Sequence, residues 1–148
     1  MAENKSEFPC FVCDCSFIIS FLLNGLCGDE FKGAAKEFER VIFNNGQIYV
    51  PQIFWYEVNN VLLYKSRTDS KGVAKITDSQ VSEILYDLQQ LPIYTDLQMS
   101  FDIQLKTRDL ALEYDLSFYD ASYLELARRF NLQLKTFDKK LQGCLELN

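Results

Sequence analysis

The sequence predicts an α/β domain with a central, mostly parallel sheet of four to five short strands flanked by helices on both faces (α/β/α). Three observations point there. Short apolar runs of strand length alternate with longer stretches whose apolar residues recur at helical spacing. Two of the runs end on an aspartate, where parallel sheets place their ligand-handling residues. The 148 residues, 48% hydrophobic and 24% charged, suffice for one core. Residues 1–148 therefore read as a single domain, with residues 1–8 (MAENKSEF) expected to be a flexible N-terminal extension.

Each element has a local justification. Residues 10–14 (CFVCD) read as the first strand, after which Ser16 can cap a helix through Leu23. Asp29 can open the second helix, which stops at Asn44-Asn45-Gly46. Residues 47–50 form the second strand, and Pro51 fits the first turn of a third helix reaching about Ser66. The polar segment 67–75, with Gly72, reads as a loop before Thr77 caps a fourth helix ending near Leu91. A third strand over 92–95 precedes a fifth helix from about Gln98 to Tyr114, and Ser117 starts the sixth. Residues 132–137 make the fourth strand and 144–147 a weak fifth. No repeat, low-complexity tract or interdomain linker interrupts the pattern.

Composition removes several chemistries. The chain has no histidine, hence neither the usual general base nor a Ser/His or Cys/His nucleophile. Five cysteines, at 10, 13, 15, 27 and 144, include the cluster C-F-V-C-D-C. An odd total without a second C-x-x-C supports neither a four-ligand zinc site nor a full set of bridges. Cys13 and Cys15 read instead as small buried residues at a strand end, in a reducing compartment. The first residues lack the features of a signal peptide, and the longest apolar stretch, FIISFLL, is far short of the roughly 20 residues that span a bilayer. A cytoplasmic protein with no membrane segment is expected. The net charge of −6 argues against a nucleic-acid binder that works through a basic surface, unless clustered carboxylates hold divalent cations.

Most of the 21 acidic residues fall on polar helix faces. Four do not. Asp14 follows the apolar strand FVC, and Asp138 follows LQLKTF in the same setting. Glu57 lies inside its helix with Phe54, Val58, Val61 and Leu62 around it, so an acid interrupts an apolar stripe. Asp120 heads the stripe continued by Tyr123, Leu124 and Ala127. Singly, three of them have a structural explanation: Ser117-x-x-Asp120 matches a capping box, Asp138 can cap the turn KKLQ, and Asp14 can support the turn before Ser16. Glu57 is too deep in its helix for that, and a buried unpaired carboxylate is costly. Two such charges about 6 Å apart repel by nearly 3 kcal/mol at an effective dielectric of about 20, so a cluster of four needs cations. Oxygen donors without histidine favour Mg²⁺ or Mn²⁺, which activate water and neutralise charge at a phosphodiester.

The segments "FVCDCSFIISFLL", "VPQIFWYEVNNVLL" and "LSFYDASYLELARRFNLQLKTFDKKL" together resemble the PIN-domain ribonucleases, specifically the VapC-type toxins of type II toxin-antitoxin (VapBC) systems. The resemblance covers nearly the whole chain. It implies that Asp14, Glu57, Asp120 and Asp138 form the catalytic set, binding Mg²⁺ or Mn²⁺. Ser16 and Thr136 are then supporting or substrate-contacting hydroxyls. It further implies an endoribonuclease toxin that cleaves structured RNA, such as tRNA or rRNA, to inhibit translation. A homodimer and a hetero-oligomer with a cognate VapB-type antitoxin follow from it. Lys65, Arg67, Arg128 and Lys139, with Arg129 and Lys140, are the basic residues available to an RNA backbone.

Two other readings share these residues. The first is an inert PIN-fold binding module acting through a protein partner. The second is a phosphoacceptor domain. The D-x-D of haloacid-dehalogenase-like phosphatases is absent, since the sequence reads Asp14-Cys-Ser16, and so is the acid pair and late lysine of a receiver.

Overall fold

The computed structural model describes residues 8–23 and 30–146, so the expected extension over residues 1–8, Asp29 at the second helix and Cys27 lie wholly or almost wholly outside the described residues. Four strands form one sheet: β1 (Cys10–Cys13), β2 (Gln47–Pro51), β3 (Ile93–Asp96) and β4 (Leu134–Lys135), in the order β3-β2-β1-β4. Every pairing is parallel, with Phe11 opposite Ile48, Ile48 opposite Ile93, and Val12 opposite Leu134. All four carboxyl ends therefore open on one edge. The chain builds from β1 outward to β3 on one side and then returns to place β4 on the other side of β1. The topological switch point, the crevice where open parallel sheets bind ligands, thus falls between β1 and β4.

Seven helices are described: α1 (Cys15–Leu22), α2 (Glu30–Phe43), α3 (Ile53–Ser66), α4 (Asp78–Gln90), α5 (Phe101–Tyr114), α6 (Phe118–Arg129) and α7 (Lys139–Glu146). Side chains alternate along a strand, which sorts the helices into two layers. Phe11 points to Phe38 of α2, with ring centroids 5.6 Å apart. Tyr49, in register with Val12 and so on the other face, meets Phe130 just beyond α6 at 5.2 Å. The core is fully buried through Val12, Ile18, Phe38, Ile48, Val50, Phe54 and Tyr123. A smaller cluster of Leu110, Ala121, Leu124 and Cys144 ties α5, α6 and α7 together.

Four expectations need correction. Residues 144–146 are the end of α7, not a strand: Asp138 Oδ1 accepts from Leu141 N (3.0 Å), and Leu141 and Cys144 are buried at the i, i+3 spacing of a helix. Pro51 ends β2 rather than opening α3, because its register opposite Asp96 continues the ladder. The cap of α1 is Asp14, whose Oδ1 accepts from Phe17 N, and not Ser16. The fifth helix begins later than Gln98, where Ser100 Oγ accepts from Ile103 N. Thr77 does cap α4, through a complete capping box with Gln80, and Ser117 caps α6.

Between α2 and β2 the chain passes so close to the N-terminal arm that a Cβ on Gly46 would lie 1.9 Å from Pro9 O. Only glycine fits there. Its neighbour Gln47 N donates to that same oxygen, which fixes the start of the β1–β2 register.

Candidate active site

Asp14 stands where β1 gives way to α1, and Thr136 directly follows β4, so the switch point brings them together across 122 residues of sequence. Asp14 is 6% exposed and both of its oxygens are engaged. Oδ1 accepts from Ser16 Oγ (2.7 Å) and Phe17 N (3.1 Å), and Oδ2 accepts from Thr136 Oγ1. The two hydroxyls are tied in turn to the following turn: Phe137 N donates to Ser16 Oγ (3.0 Å) and Asp138 N to Thr136 Oγ1 (2.9 Å). The net is continuous from the end of β1 to Asp138.

Glu57 sits one turn into α3, half-buried beside Phe54 and Val58, and its Oε1 accepts from Tyr123 OH of α6 at 2.7 Å. Tyr123 is wholly buried, one turn on from Asp120. Through this bond the acid of α3 is held against the helix that carries Asp120. Asp120 is half-buried, and its backbone N–H donates to the Ser117 cap at 3.0 Å. Asp138 is exposed and caps α7.

The acids act on one another. Burial raises the Asp14 carboxyl above the ordinary carboxylate range, its three hydrogen bonds oppose that, and the Asp138 charge adds to the rise. Burial also raises Glu57, against the Tyr123 bond, and the charges of Asp120 and Asp14 push it further. The Cys15 thiol feels the same charges and is pushed up to about 12 by burial and by Glu57 and Asp14. Tyr123 is likewise raised by burial and by Glu57, which keeps it a hydrogen-bond donor. None of the ion pairs among the described residues engages Asp14, Glu57, Asp120 or Asp138.

This donor set suits a hard divalent cation: carboxylate and hydroxyl oxygens, negative charge accumulated at one edge, and no imidazole. Among the described residues, however, no group of three or more acids or thiols stands close enough to form a preassembled metal cage. Asp14 is oriented by its own hydroxyls and Glu57 by Tyr123, with Asp120 and Asp138 at the rim.

The basic candidates are dispersed. Lys65 and Arg67 end α3, roughly 12 to 15 Å along the helix from Glu57 at 1.5 Å per residue. The Arg67 guanidinium lies over the Tyr64 ring at 5.0 Å. Arg128 Nη2 donates to Tyr114 OH (3.0 Å), and Lys140 pairs with Asp115 (3.3 Å). Lys139, exposed and next to Asp138, adjoins the acid edge. Arg129 is committed elsewhere. It pairs with Asp96 (2.5 Å) and Glu125 (2.8 Å), acids that are 5% and 4% exposed. This triad escapes a reading of strand ends limited to Asp14 and Asp138. Its signal is the same, since Asp96 closes the run IYTD, and Glu125 stands four residues before Arg129 inside a buried stripe.

A model of the PIN domain family matches residues 11–143. No curated protein matches the chain significantly. Among solved structures, the chain is similar to PAE2754 from Pyrobaculum aerophilum, at 20% identity and a TM-score of 0.62 over 91% of this chain and 86% of that one. It is also similar to VapC20 of Mycobacterium tuberculosis, a sarcin-ricin loop cleaving toxin. That match has 12% identity and a TM-score of 0.60 over 90% and 94% of the two chains. At such identities the likeness is one of fold. The family match spans both sides of the switch point, from Phe11 in β1 to the α7 turn capped by Asp138, and the chain belongs to the PIN domain family.

Proposed function

We propose that the protein is a metal-dependent endoribonuclease toxin that cleaves RNA to inhibit translation and is neutralised by a VapB-type antitoxin. The observation that carries this reading is the switch-point edge. There the charge of Asp138 acts on Asp14 and the charges of Asp14 and Asp120 act on Glu57, and no ion pair among the described residues engages any of the four. The shared fold of a toxin that cleaves the sarcin-ricin loop supports structured RNA, such as tRNA or rRNA, as the polymer.

In this reading Asp14, Glu57, Asp120 and Asp138 hold Mg²⁺ or Mn²⁺. When bound, the metal supplies Lewis acidity and charge neutralisation at the phosphodiester. The rest is the protein's own work. Ser16 and Thr136 fix both oxygens of Asp14, and Tyr123 fixes one oxygen of Glu57, leaving the other for a ligand. Lys139 beside Asp138 is the basic residue best placed to meet an RNA backbone, with Lys65, Arg67 and Arg128 further out. The active form is a homodimer that assembles with its antitoxin as a hetero-oligomer.

The test is cleavage of single-stranded RNA and of structured RNA (tRNA and rRNA) by the purified protein in Mg²⁺ or Mn²⁺ against EDTA. Cleavage is expected only with metal, and is lost in Asp14→Asn and Asp120→Asn with the circular dichroism of the wild type. Cleavage that persists in EDTA or in both variants refutes it. That no group of three acids among the described residues stands ready to hold a metal is the observation on the side of an inert PIN-fold binding module. Binding of a protein partner without cleavage in either metal would establish that reading.

A further inference from the structure

Beside the acids lies a cavity of about 280 Å³ that the proposed chemistry does not use. One wall is a single face of α6: Tyr119, Ser122, Glu125 and Arg129 follow at i, i+3, i+6 and i+10. The facing wall includes Ile53 and Tyr56 of α3. Tyr56 and Tyr119 are the chain neighbours of Glu57 and Asp120, set about 100° round their helices from the acids. The cavity therefore opens on the flank of the acid edge. Both tyrosines are largely exposed, at 68% and 59%.

The size and lining of this cavity select an occupant. It falls just below the roughly 300 to 1,000 Å³ of sites for whole drug-sized ligands, so it suits one ring system. Its walls are mostly apolar, and its tyrosines offer faces on which a flat ring can stack. In the lining two buried carboxylates, Asp96 and Glu125, share the one guanidinium of Arg129, so the triad keeps a formal charge of −1. Phosphate is repelled there. A ring that presents amino N–H donors is favoured, whereas uracil sets carbonyl oxygens on both sides of its single ring N–H. Resting on the nuclease reading above, we propose that this cavity receives one unpaired amino-bearing base (adenine, cytosine or guanine) of a single-stranded RNA segment whose backbone crosses the acid edge. The fold would thereby choose where along a strand it cuts.

The experiment has two arms. In the first, a random single-stranded RNA pool is cut in Mg²⁺ by wild type, Tyr56→Ala, Tyr119→Ala, Ser122→Phe and, as a control on α5 away from the cavity, Leu112→Ala; the cut ends are sequenced. Wild type and Leu112→Ala are expected to disfavour uracil at one fixed position beside the cut by about 5- to 10-fold, the worth of about one hydrogen bond gained or lost. The three cavity variants should still cut in a metal-dependent manner, with a raised KM and that preference flattened. In the second, metal-free protein is titrated with adenosine, cytidine, guanosine and uridine while its NMR spectrum is followed. The first three should shift the resonances of Tyr119 and Ser122, uridine should not, and Ser122→Phe should abolish the response. Metal-dependent cutting with identical base composition in all five proteins overturns the inference while leaving the nuclease reading intact. If no RNA is cut in any metal, the nuclease reading fails, and the nucleoside titration alone decides the cavity. A cavity variant that turns a dimer into a monomer assigns the face to a second copy of the chain and also overturns the inference.

Discussion

Replacing Glu57 by glutamine separates a charge that serves an ion from one that serves the fold. In metal-free protein Glu57 adds its charge to those of Asp14 and Asp120 and gains in return the Tyr123 hydrogen bond. Two charges about 6 Å apart at an effective dielectric of about 20 repel by about 3 kcal/mol, and water at the half-exposed Glu57 cuts this to about 1 kcal/mol for each neighbour. Glutamine removes both repulsions. It keeps an acceptor for Tyr123 but gives up the charge assistance of that bond, about 1 kcal/mol. The balance is a gain of about 0 to 1 kcal/mol, or a rise in Tm of about 0 to 4 °C. Cleavage should fall by more than about 10- to 100-fold, the range set by the partners that merely orient metal ligands. Scanning fluorimetry in EDTA and a fluorescent single-stranded RNA assay in Mg²⁺ read the two effects. A Tm lowered by more than about 4 °C in EDTA would show that Glu57 holds the fold together, and the reasoning would fail.

Millimolar Mg²⁺ should raise the Tm of wild type, by the equivalent of about 2.7 kcal/mol once the ion reaches 100 times its Kd, and that of Asp120→Asn by less than half as much; equal shifts would place the ion elsewhere. Asp14 and Glu57 have carboxyls raised above their ordinary values of 3.8 and 4.5, so their contribution to stability is complete below those values and is lost as pH rises through the raised ones. In EDTA the wild type should therefore lose more stability than Glu57→Gln does as pH rises above 4.5, with Asp120, Asp138 and the Cys15 thiol as the charged or titratable neighbours. Urea midpoints measure it, and a steeper loss in the variant contradicts it. Arg129→Met should cost about 3 to 5 kcal/mol, because it strands two buried carboxylates. Adding Asp96→Asn and Glu125→Gln should restore much of that, as followed by chemical denaturation.

The alternation of strands and helices is legible because the strands are short apolar runs, with β1 at the centre buried on both faces, and the helices carry apolar stripes. The strand-end rule finds Asp14 and Asp138, and the interrupted stripe finds Glu57. Boundaries that depend on a single hydrogen bond are less legible. Ser16 and Asp14 are both good caps, and only the geometry shows Asp14 accepting from Phe17 N while Ser16 turns its hydroxyl onto Asp14. Pro51 satisfies the first turn of a helix as well as the last residue of a strand, and the pairing with β3 decides. The tail is apolar enough for a short strand, yet Leu141 and Cys144 are buried at helical spacing within α7. The Asp96–Glu125–Arg129 triad required knowing that β3 and α6 meet, which no local pattern states.

Asp14 is the hinge pin of its helix as well as a charged edge residue, and this sets how it should be tested. An asparagine there keeps an oxygen for Phe17 N and for a hydroxyl, so it deletes the charge and spares the start of α1. Alanine would idle three donors at once, from Ser16, Phe17 and Thr136, and loosen the seam between the first strand and the last. Silence from an alanine variant would then report a slackened seam as readily as a missing ligand, and only the amide replacement tells the two apart.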